Sequence, residues 1–365
     1  MSLGFLDPMR VVPDHRIPGM AIDPLDELLL ATHVGLVCGA DDWEGVEEIA
    51  AGALDWLRGF LPFANGIPTA QTLRKVFRLL DTEALQHGFS AWAASLRAEA
   101  REVIAVDGKT LRGSKTAPDG KGALHLVSAY AAEAGLVLAQ RAVDGKSNEI
   151  TAIPELLDML NLKGAIVSID AMGGRRSPGA SSTTARTMCS RSRAIRPACT
   201  TTRRSSFPIR SAPQTARRAP RPTPATAGSK SAVAGPPRRR SSPNAIPTGK
   251  DLRSITAVAA RPIDKKTGRE SLETRYSITS LEPDPKAILA ATRAHWGVES
   301  FHWTLDVTFD EDRCRTRKDA SALNFAVIRR TGSNLLKADT SRGSLRRKRL
   351  RACLDPTFRT NPFAA

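Results

Sequence analysis

Val103-Ile104-Ala105-Val106-Asp107 and Ala165-Ile166-Val167-Ser168-Ile169-Asp170 are two short apolar runs, and each ends in a carboxylate. Their reading decides the fold. Between them lie His125-Leu126-Val127-Ser128-Ala129-Tyr130 and Leu136-Val137-Leu138-Ala139-Gln140, two more runs of strand length. The link between these two, residues 131–135, is short enough for a hairpin. Asn148 to Leu160 then places Ile150, Ile153, Leu156, Leu157 and Leu160 on one helical face. Strands that are apolar at nearly every position are buried on both sides, as in a sheet covered by helices. The order strand, hairpin, helix, strand predicts a mixed α/β sheet.

Upstream, residues 1–98 read as a small all-α domain. Asp23-Pro24 opens a helix whose apolar residues are Leu25, Leu28, Leu29, Val34 and Leu36. A second helix follows from Trp43 to Leu57. Pro62 and the Asn65-Gly66-Ile67-Pro68 turn interrupt the chain. Thr69 caps a third helix through Leu73, Val76, Phe77 and Leu80, and a fourth spans about Thr82 to Ala100. Downstream, the globular pattern returns near Leu252. Ser254–Ala259 and Thr274–Ser280 read as strands, and a long helix begins at Asp284, passes Trp296 and carries Arg293, His295, Trp296 and Glu299. Another runs from Ser321 to Lys337. Residues 341–365 read as a basic C-terminal tail containing Arg346-Arg347-Lys348-Arg349-Leu350-Arg351.

The 365 residues hold 54 Lys+Arg and 37 Asp+Glu, a net charge of +17. The whole excess sits in Ala171–Lys250, which contains 15 Arg, 2 Lys and no acidic residue. Outside it the chain is neutral, so a uniformly basic nucleic-acid coat is excluded. The same window holds 11 of the 24 prolines and has no helical or strand periodicity; by composition, 174–250 is a disordered segment. Five scattered cysteines without a CxxC or Cys/His cluster argue against a zinc site or a disulfide framework and fit a reducing cytoplasm. Leu28–Ala40 is too short to span a bilayer, and no membrane partner or signal peptide is expected.

An isolated carboxylate at a strand end is ordinarily a turn or cap residue. Asp107 and Asp170 acquire another meaning together, because carboxylates on neighbouring strands of one sheet point into one crevice and can ligate a divalent metal. A third carboxylate from a late helix would complete a two-metal site. Glu299 is the candidate, although on position alone a solvated helix charge is the better explanation.

These residues carry a resemblance. Val106-Asp107-Gly108-Lys109-Thr110-Leu111-Arg112-Gly113-Ser114 resembles the first catalytic motif of the ISAs1-type transposases, DDE enzymes of the IS4-like class with an RNase H-like fold. His125 to Tyr130 and Val143-Asp144-Gly145-Lys146-Ser147-Asn148-Glu149-Ile150, continuing to Leu157, resemble that family too. Ile169-Asp170-Ala171-Met172-Gly173 is similar to the second motif. Arg293 to Glu299, with Leu305-Asp306-Val307-Thr308-Phe309 and Glu311-Asp312, is similar to the third. The N-terminal block resembles the family's helical associated domain through Leu54 to Leu57, Asn65 to Pro68 and Val76 to Asp81.

The resemblance implies an RNase H-like mixed sheet with flanking helices, built in two halves (99–173 and 251–340) around the basic segment. It implies an insertion-sequence transposase that cleaves and joins DNA strands by in-line phosphoryl displacement with Mg²⁺ or Mn²⁺. Asp107, Asp170 and Glu299 would be catalytic residues and metal ligands, with Asp107 bridging two ions. Lys109, Arg112, Arg293, His295 and Trp296 are the candidate DNA contacts, against solvated-loop or core-packing alternatives. The implied partners are double-stranded DNA, as terminal inverted repeats and target, and further copies of the chain on that DNA. The implied location is the bacterial cytoplasm, at the nucleoid.

The family continues after its second motif with a helix, a strand and a loop, approximately Ala-Asp-Tyr-Val-Leu-Ala-Leu-Lys-Gly-Asn-Gln-Pro. Here the chain reads Ala185-Arg186-Thr187-Met188-Cys189-Ser190-Arg191-Ser192-Arg193-Ala194-Ile195-Arg196-Pro197. The genetic code connects the two. Thr-Met-Cys is ACN-ATG-TGY, and reading from the third base of the Thr codon gives NAT-GTG, which encodes Tyr-Val when N is T. Ser190-Arg191 then permits Leu-Ala, and Arg193-Ala194-Ile195 permits Lys-Gly-Asn. A frameshift just after Gly173, restored near 246–252, explains the segment, its charge and its composition. On that reading the copy lacks a sheet strand and a helix and is defective. A genuine basic linker, a non-catalytic DNA-binding remnant and another RNase H-like nuclease are the competing readings. The run Ser300-Phe301-His302-Trp303 is also one residue shorter than the family's spacing after Glu299, which affects the register of the third-motif helix.

Overall fold

The computed structural model describes residues 3–97, 102–115, 122–143, 149–170, 186–191, 228–235, 253–263, 268 and 273–363. Six helices come first: α1 (Leu6–Met9), α2 (Leu25–Cys38), α3 (Trp43–Gly52), α4 (Leu54–Leu57), α5 (Ala70–Leu79) and α6 (Thr82–Ser95). The second expected helix is therefore two, parted at Ala53, whose backbone has left helical geometry. Thr69 caps α5 as its sequence position demands, its hydroxyl accepting from the Thr72 N–H at 3.3 Å. Unlike an ordinary amphipathic surface helix, α2 is buried at every position from Glu27 to Cys38; such a helix must be covered from several sides.

The sheet contains β1 (Val103–Thr110), β2 (His125–Ala131), β3 (Leu136–Val143), β4 (Ile166–Asp170), β5 (Arg186–Arg191), β6 (Gly228–Gly235), β7 (Ser254–Pro262) and β8 (Glu273–Thr279), in the order β3-β2-β1-β4-β5-β8-β7-β6. β1 to β3 form an antiparallel meander, turned at Gly135 with φ +72°, and β4 and β5 add on in parallel. This is the expected mixed sheet. β8, β7 and β6 extend it antiparallel. Helix α7 (Glu149–Asp158) crosses between β3 and β4 and packs against β2 and β3.

The expectation that 174–250 supplies no sheet strand is corrected: β5 and β6 both lie within it. β5 pairs in parallel with β4, between it and β8. A slot between two strands offers backbone donors and acceptors that any non-proline residue can satisfy, so pairing there needs no side-chain pattern. The rest of 174–250 lies outside the described residues.

Asp284 accepts from the Lys286 N–H at 2.9 Å and starts α8 (Pro285–His295). The expected long helix breaks at Trp296, and α9 (Gly297–Thr308) follows. A Cβ on Gly297 would sit 3.3 Å from the Tyr130 ring, so this corner passes close against β2. Then come α10 (Ser321–Ala338), α11 (Leu345–Leu354) and α12 (Pro356–Phe363).

The expected basic C-terminal tail is, over residues 341–363, packed against the core. Arg349 donates from Nε to the Leu36 carbonyl at 3.0 Å and from Nη2 to the Ala40 carbonyl at 2.9 Å, at the end of α2. Lys348 donates to the Leu336 carbonyl. Guanidinium and ammonium groups can be buried this way because carbonyls at helix ends, outside the regular ladder, keep acceptor capacity for a side chain. One apolar core consequently runs from Phe5 and the α2 leucines through Phe325, Leu335 and Leu336 to Phe358 and Phe363. No helix among the described residues is long and apolar enough to cross a membrane.

Candidate functional site

Side chains alternate across a strand, and β1 shows what each face is for. Ile104 and Val106 join the apolar cluster of α7, with Ile153 and Leu156. Val103 clusters with Ile288 and Ala291 of α8, and Ala105 belongs to the core that includes Val298, Phe301 and Leu305 of α9. The next two odd positions are Asp107 and Lys109. They meet α9 as the strand and helix run on together: two strand residues advance ~6.7 Å, and four helix residues advance ~6 Å. Asp107 Oδ2 therefore lies 3.5 Å from His302 Nδ1, and Lys109 Nζ lies 2.6 Å from Asp306 Oδ1.

Asp107 is not the last residue of its strand. β1 continues to Thr110 because β2 pairs with it all the way, whereas the parallel ladder to β4 stops at Val106 opposite Ile169. The next positions in that register are Asp107 and Asp170, side by side where the ladder ends. Ligand atoms of Asp107, Glu299 and His302 lie within 4.8 Å of one another, a set that Asp170 does not join. Burial pushes the Asp107 carboxyl up to about 7. Glu299, Asp170 and Glu149 push the same way, and the Gly108 N–H, donating to it, opposes them. Burial pushes His302 down to about 3, helped by the nearby positive charges of Arg330 and Lys109.

The opposite face of β1 carries a second polar group. Thr110 Oγ1 and His125 Nδ1 are 2.8 Å apart, and His125 Nε2 is 2.6 Å from Glu149 Oε1. Gly108 lies directly under this pair. A Cβ there would be 2.6 Å from His125 Nε2 and closer still to Glu149 Oε1, so glycine is required by close approach. Sequence reasoning assigned no role to His302, His125 or Glu149. The i, i+3 spacing of Glu299 and His302 on a helix was the available signal for the first.

The expected DNA contacts are dispersed. Lys109 is buried and held by Asp306 and, at 3.5 Å, Asp312, so its ammonium is not free to meet phosphate. Arg112 is 84% exposed and lies 3.6 Å from Asp312. Arg293 is exposed. His295 Nδ1 is 2.8 Å from Ser168 Oγ; burial lowers its pKa, against the pull of Asp170. Trp296 stands at the surface with the Arg275 guanidinium 4.4 Å above its ring, rather than packing in the core.

Two family models match. The DDE_Tnp_1-associated model covers residues 6–93, and the transposase DDE domain model covers 98–335. The transposase-named protein YncI of Escherichia coli O157:H7 is 32% identical over 369 residues, covering 97% of this chain and 92% of that one. The H repeat-associated transposase-named protein YhhI of E. coli K12 is 30% identical over 373 residues, covering 98% and 97%. Among solved structures, a piggyBac transposase synaptic complex with hairpin DNA has a TM-score of 0.42 at 10% identity, covering 99% of this chain and 78% of that one. A DDE domain implies divalent metal use, and the residues present fit an ion: two carboxylates converge with a buried imidazole whose Nε2 has no partner among the described residues. The chain belongs to the DDE transposase family.

Proposed function

We propose that the β1–β4–α9 crevice is a metal-dependent DNA strand-cleavage and strand-transfer centre, that of an ISAs1-type insertion sequence. The observation that carries this reading is the convergence of Asp107 and Glu299 at the point where β4 leaves β1, with Asp170 next in register. These three carboxylates would hold Mg²⁺ or Mn²⁺. Bound there, a divalent ion supplies Lewis-acid stabilisation of the phosphoryl oxygens and a stronger oxygen nucleophile. The chain's own contribution is placement. The Gly108 N–H orients Asp107, the His125–Glu149 pair fixes the strand behind it, and Lys109 neutralises Asp306 so that it stays out of the donor set.

A groove of about 710 Å³ lined by Arg74, Lys75 and Arg78 of α5 and by Arg313, Arg315 and Lys318 after α9 would take the DNA backbone; Asp41, Asp42, Glu44 and Asp310 share its walls and pair with some of these arginines, leaving a net positive lining. Arg317 ties that loop to the turn after β1 by donating to the Gly113 carbonyl at 2.6 Å, so the basic track reaches the catalytic strand. Neutralising phosphates with such a track makes affinity fall steeply with salt. Binding as an oligomer across two element ends, in the bacterial cytoplasm at the nucleoid, completes the reading.

We also propose that 174–250 is translated out of frame and that this copy cleaves weakly or not at all. Its composition and the out-of-frame codon reading support this, although β5 occupies its slot. The competing non-catalytic reading is favoured by the same basic groove. The test is strand transfer with Mg²⁺ and terminal inverted-repeat DNA, comparing this chain with one whose gene is shifted by one base across the segment. The expected result is transfer by the reframed chain, lost in its Asp107→Asn variant, and little by the present one. Equal turnover by both sinks the frameshift proposal. Binding without transfer by the reframed chain favours the non-catalytic reading, and cleavage of RNA–DNA hybrids alone favours a different nuclease.

A further inference from the structure

We propose that His302 is a nitrogen ligand to the ion held by Asp107 and Glu299, and that it makes the site select Mn²⁺ over Mg²⁺. This rests on the metal reading given above. The four interior histidines of the described residues differ in how their rings are held. His125 has partners at both nitrogens, at 2.8 and 2.6 Å. His33 has the Leu29 carbonyl at 2.7 Å, and His295 has Ser168 Oγ at 2.8 Å. His302 has no hydrogen bond among the described residues. Its Nδ1 lies 3.5 Å from Asp107 Oδ2, beyond the usual N–H···O range, and its Nε2, like that of His33, is unpartnered as well, while the residue is 8% exposed.

A buried imidazole left without partners is destabilising. A cation between its Nδ1, the ring nitrogen that faces Asp107, and the carboxylates would satisfy that nitrogen and both acids at once. Glu299 and His302 are one helical turn apart on α9, so both point at the end of β1, and all three ligand atoms lie within 4.8 Å of one another. The donor set is then two oxygens and one nitrogen. Mg²⁺ prefers oxygen throughout, whereas Mn²⁺ accepts imidazole more readily and stands higher for a given nitrogen-containing site. Lys109, the nearest ammonium on the same face, is already held by Asp306 and does not compete for the acids.

The test uses the full chain, with Mn²⁺ and Mg²⁺ as the only probes. Bound Mn²⁺ is examined by pulsed electron paramagnetic resonance, which reports coupling to a coordinated ¹⁴N, and both affinities are measured by titration. We expect ¹⁴N coupling in the parent and its loss in His302→Gln. We also expect Mn²⁺ affinity to fall by about tenfold or more in that variant, with Mg²⁺ affinity changed much less. Circular dichroism checks that the variant folds, and the parent spectrum is decisive without it. Mn²⁺ bound without ¹⁴N coupling overturns the proposal and leaves the carboxylate site standing, provided Asp107→Asn abolishes binding. Equal weakening of both ions by His302→Gln overturns the selectivity. If the parent binds neither ion, the proposal falls together with the metal reading.

Discussion

Replacing Asp107 with Asn should stabilise the chain, and by an amount that grows with pH. The Asp107 carboxyl is raised from 3.8 to about 7, chiefly by burial. A group whose folded pKa lies above its unfolded value binds its proton more tightly in the native state. Its contribution is therefore fully present below 3.8 and is lost as pH rises through 7. Above pH 7 the accumulated loss is about 4 kcal/mol, from roughly three units at 1.36 kcal/mol each. Between pH 5 and pH 8 the part that changes is about 3 kcal/mol. Asn keeps the shape and the bond from the Gly108 N–H but does not titrate. Whatever its amide costs is the same at both pH values and cancels from the comparison. The assay is urea unfolding of parent and variant at pH 5 and pH 8, with chelator present. The stability difference should widen by about 3 kcal/mol in favour of Asn at pH 8, and a divalent ion should close the gap by stabilising only the parent. A difference independent of pH would refute the reasoning, because Asp107 would then not be held in a desolvated, acid-crowded pocket.

Three other outcomes follow from the packing. His33 is fully buried and lowered to about 4 by desolvation, so stability is intact above 6.5 and declines by about 3 kcal/mol as pH falls through 4; His33→Phe should flatten that acid limb in unfolding measured from pH 7 to pH 4, and an unchanged limb counts against it. Arg330 and Glu311 form a fully buried pair at 2.7 Å, so Arg330→Met should cost about 3–5 kcal/mol in chemical denaturation, and the double change Arg330→Met with Glu311→Met should recover much of it. Gly108→Ala would drive a methyl into His125 and Glu149 and should destabilise by about 1–3 kcal/mol while lowering metal affinity; a neutral effect on both would show that the pair behind β1 is free to move.

The mixed sheet was legible because β1 to β4 are apolar on both faces, and that alone separates a covered sheet from a surface one. The parallel pairing of β1 with β4 was legible for a related reason: each is an apolar run of strand length, and the ladder between them runs to Val106 opposite Ile169. What escaped reading depends on contacts across the chain. His302 sits in a stretch whose spacing after Glu299 drew attention to register, not to the ring, and only the approach of β1 gives that ring a task. Lys348 and Arg349 carry charge at positions that composition assigns to solvent, and their burial depends on helix-end carbonyls, more than 300 residues earlier in the case of Arg349. β5 has no pattern to read, since backbone pairing supplies it.

The shared core of α2, α10, α11 and α12 has a consequence for synthesis. α3 and α1 cover α2 from its own part of the chain, but a helix buried on every side stays partly uncovered until its last neighbours leave the ribosome, and for α2 these are α10 and α11, within residues 321–354. The N-terminal block is thus incomplete until those helices are made, with one side of an apolar helix waiting for its cover. A message that slips frame and never returns yields a chain whose α2 is permanently exposed on that side, a ready target for proteolysis. One that slips and returns before α8 still delivers the cover. A doubly shifted copy can accordingly persist as folded protein where a singly shifted one is cleared, and its accumulation in cells would reflect the integrity of its two ends rather than of its catalytic middle.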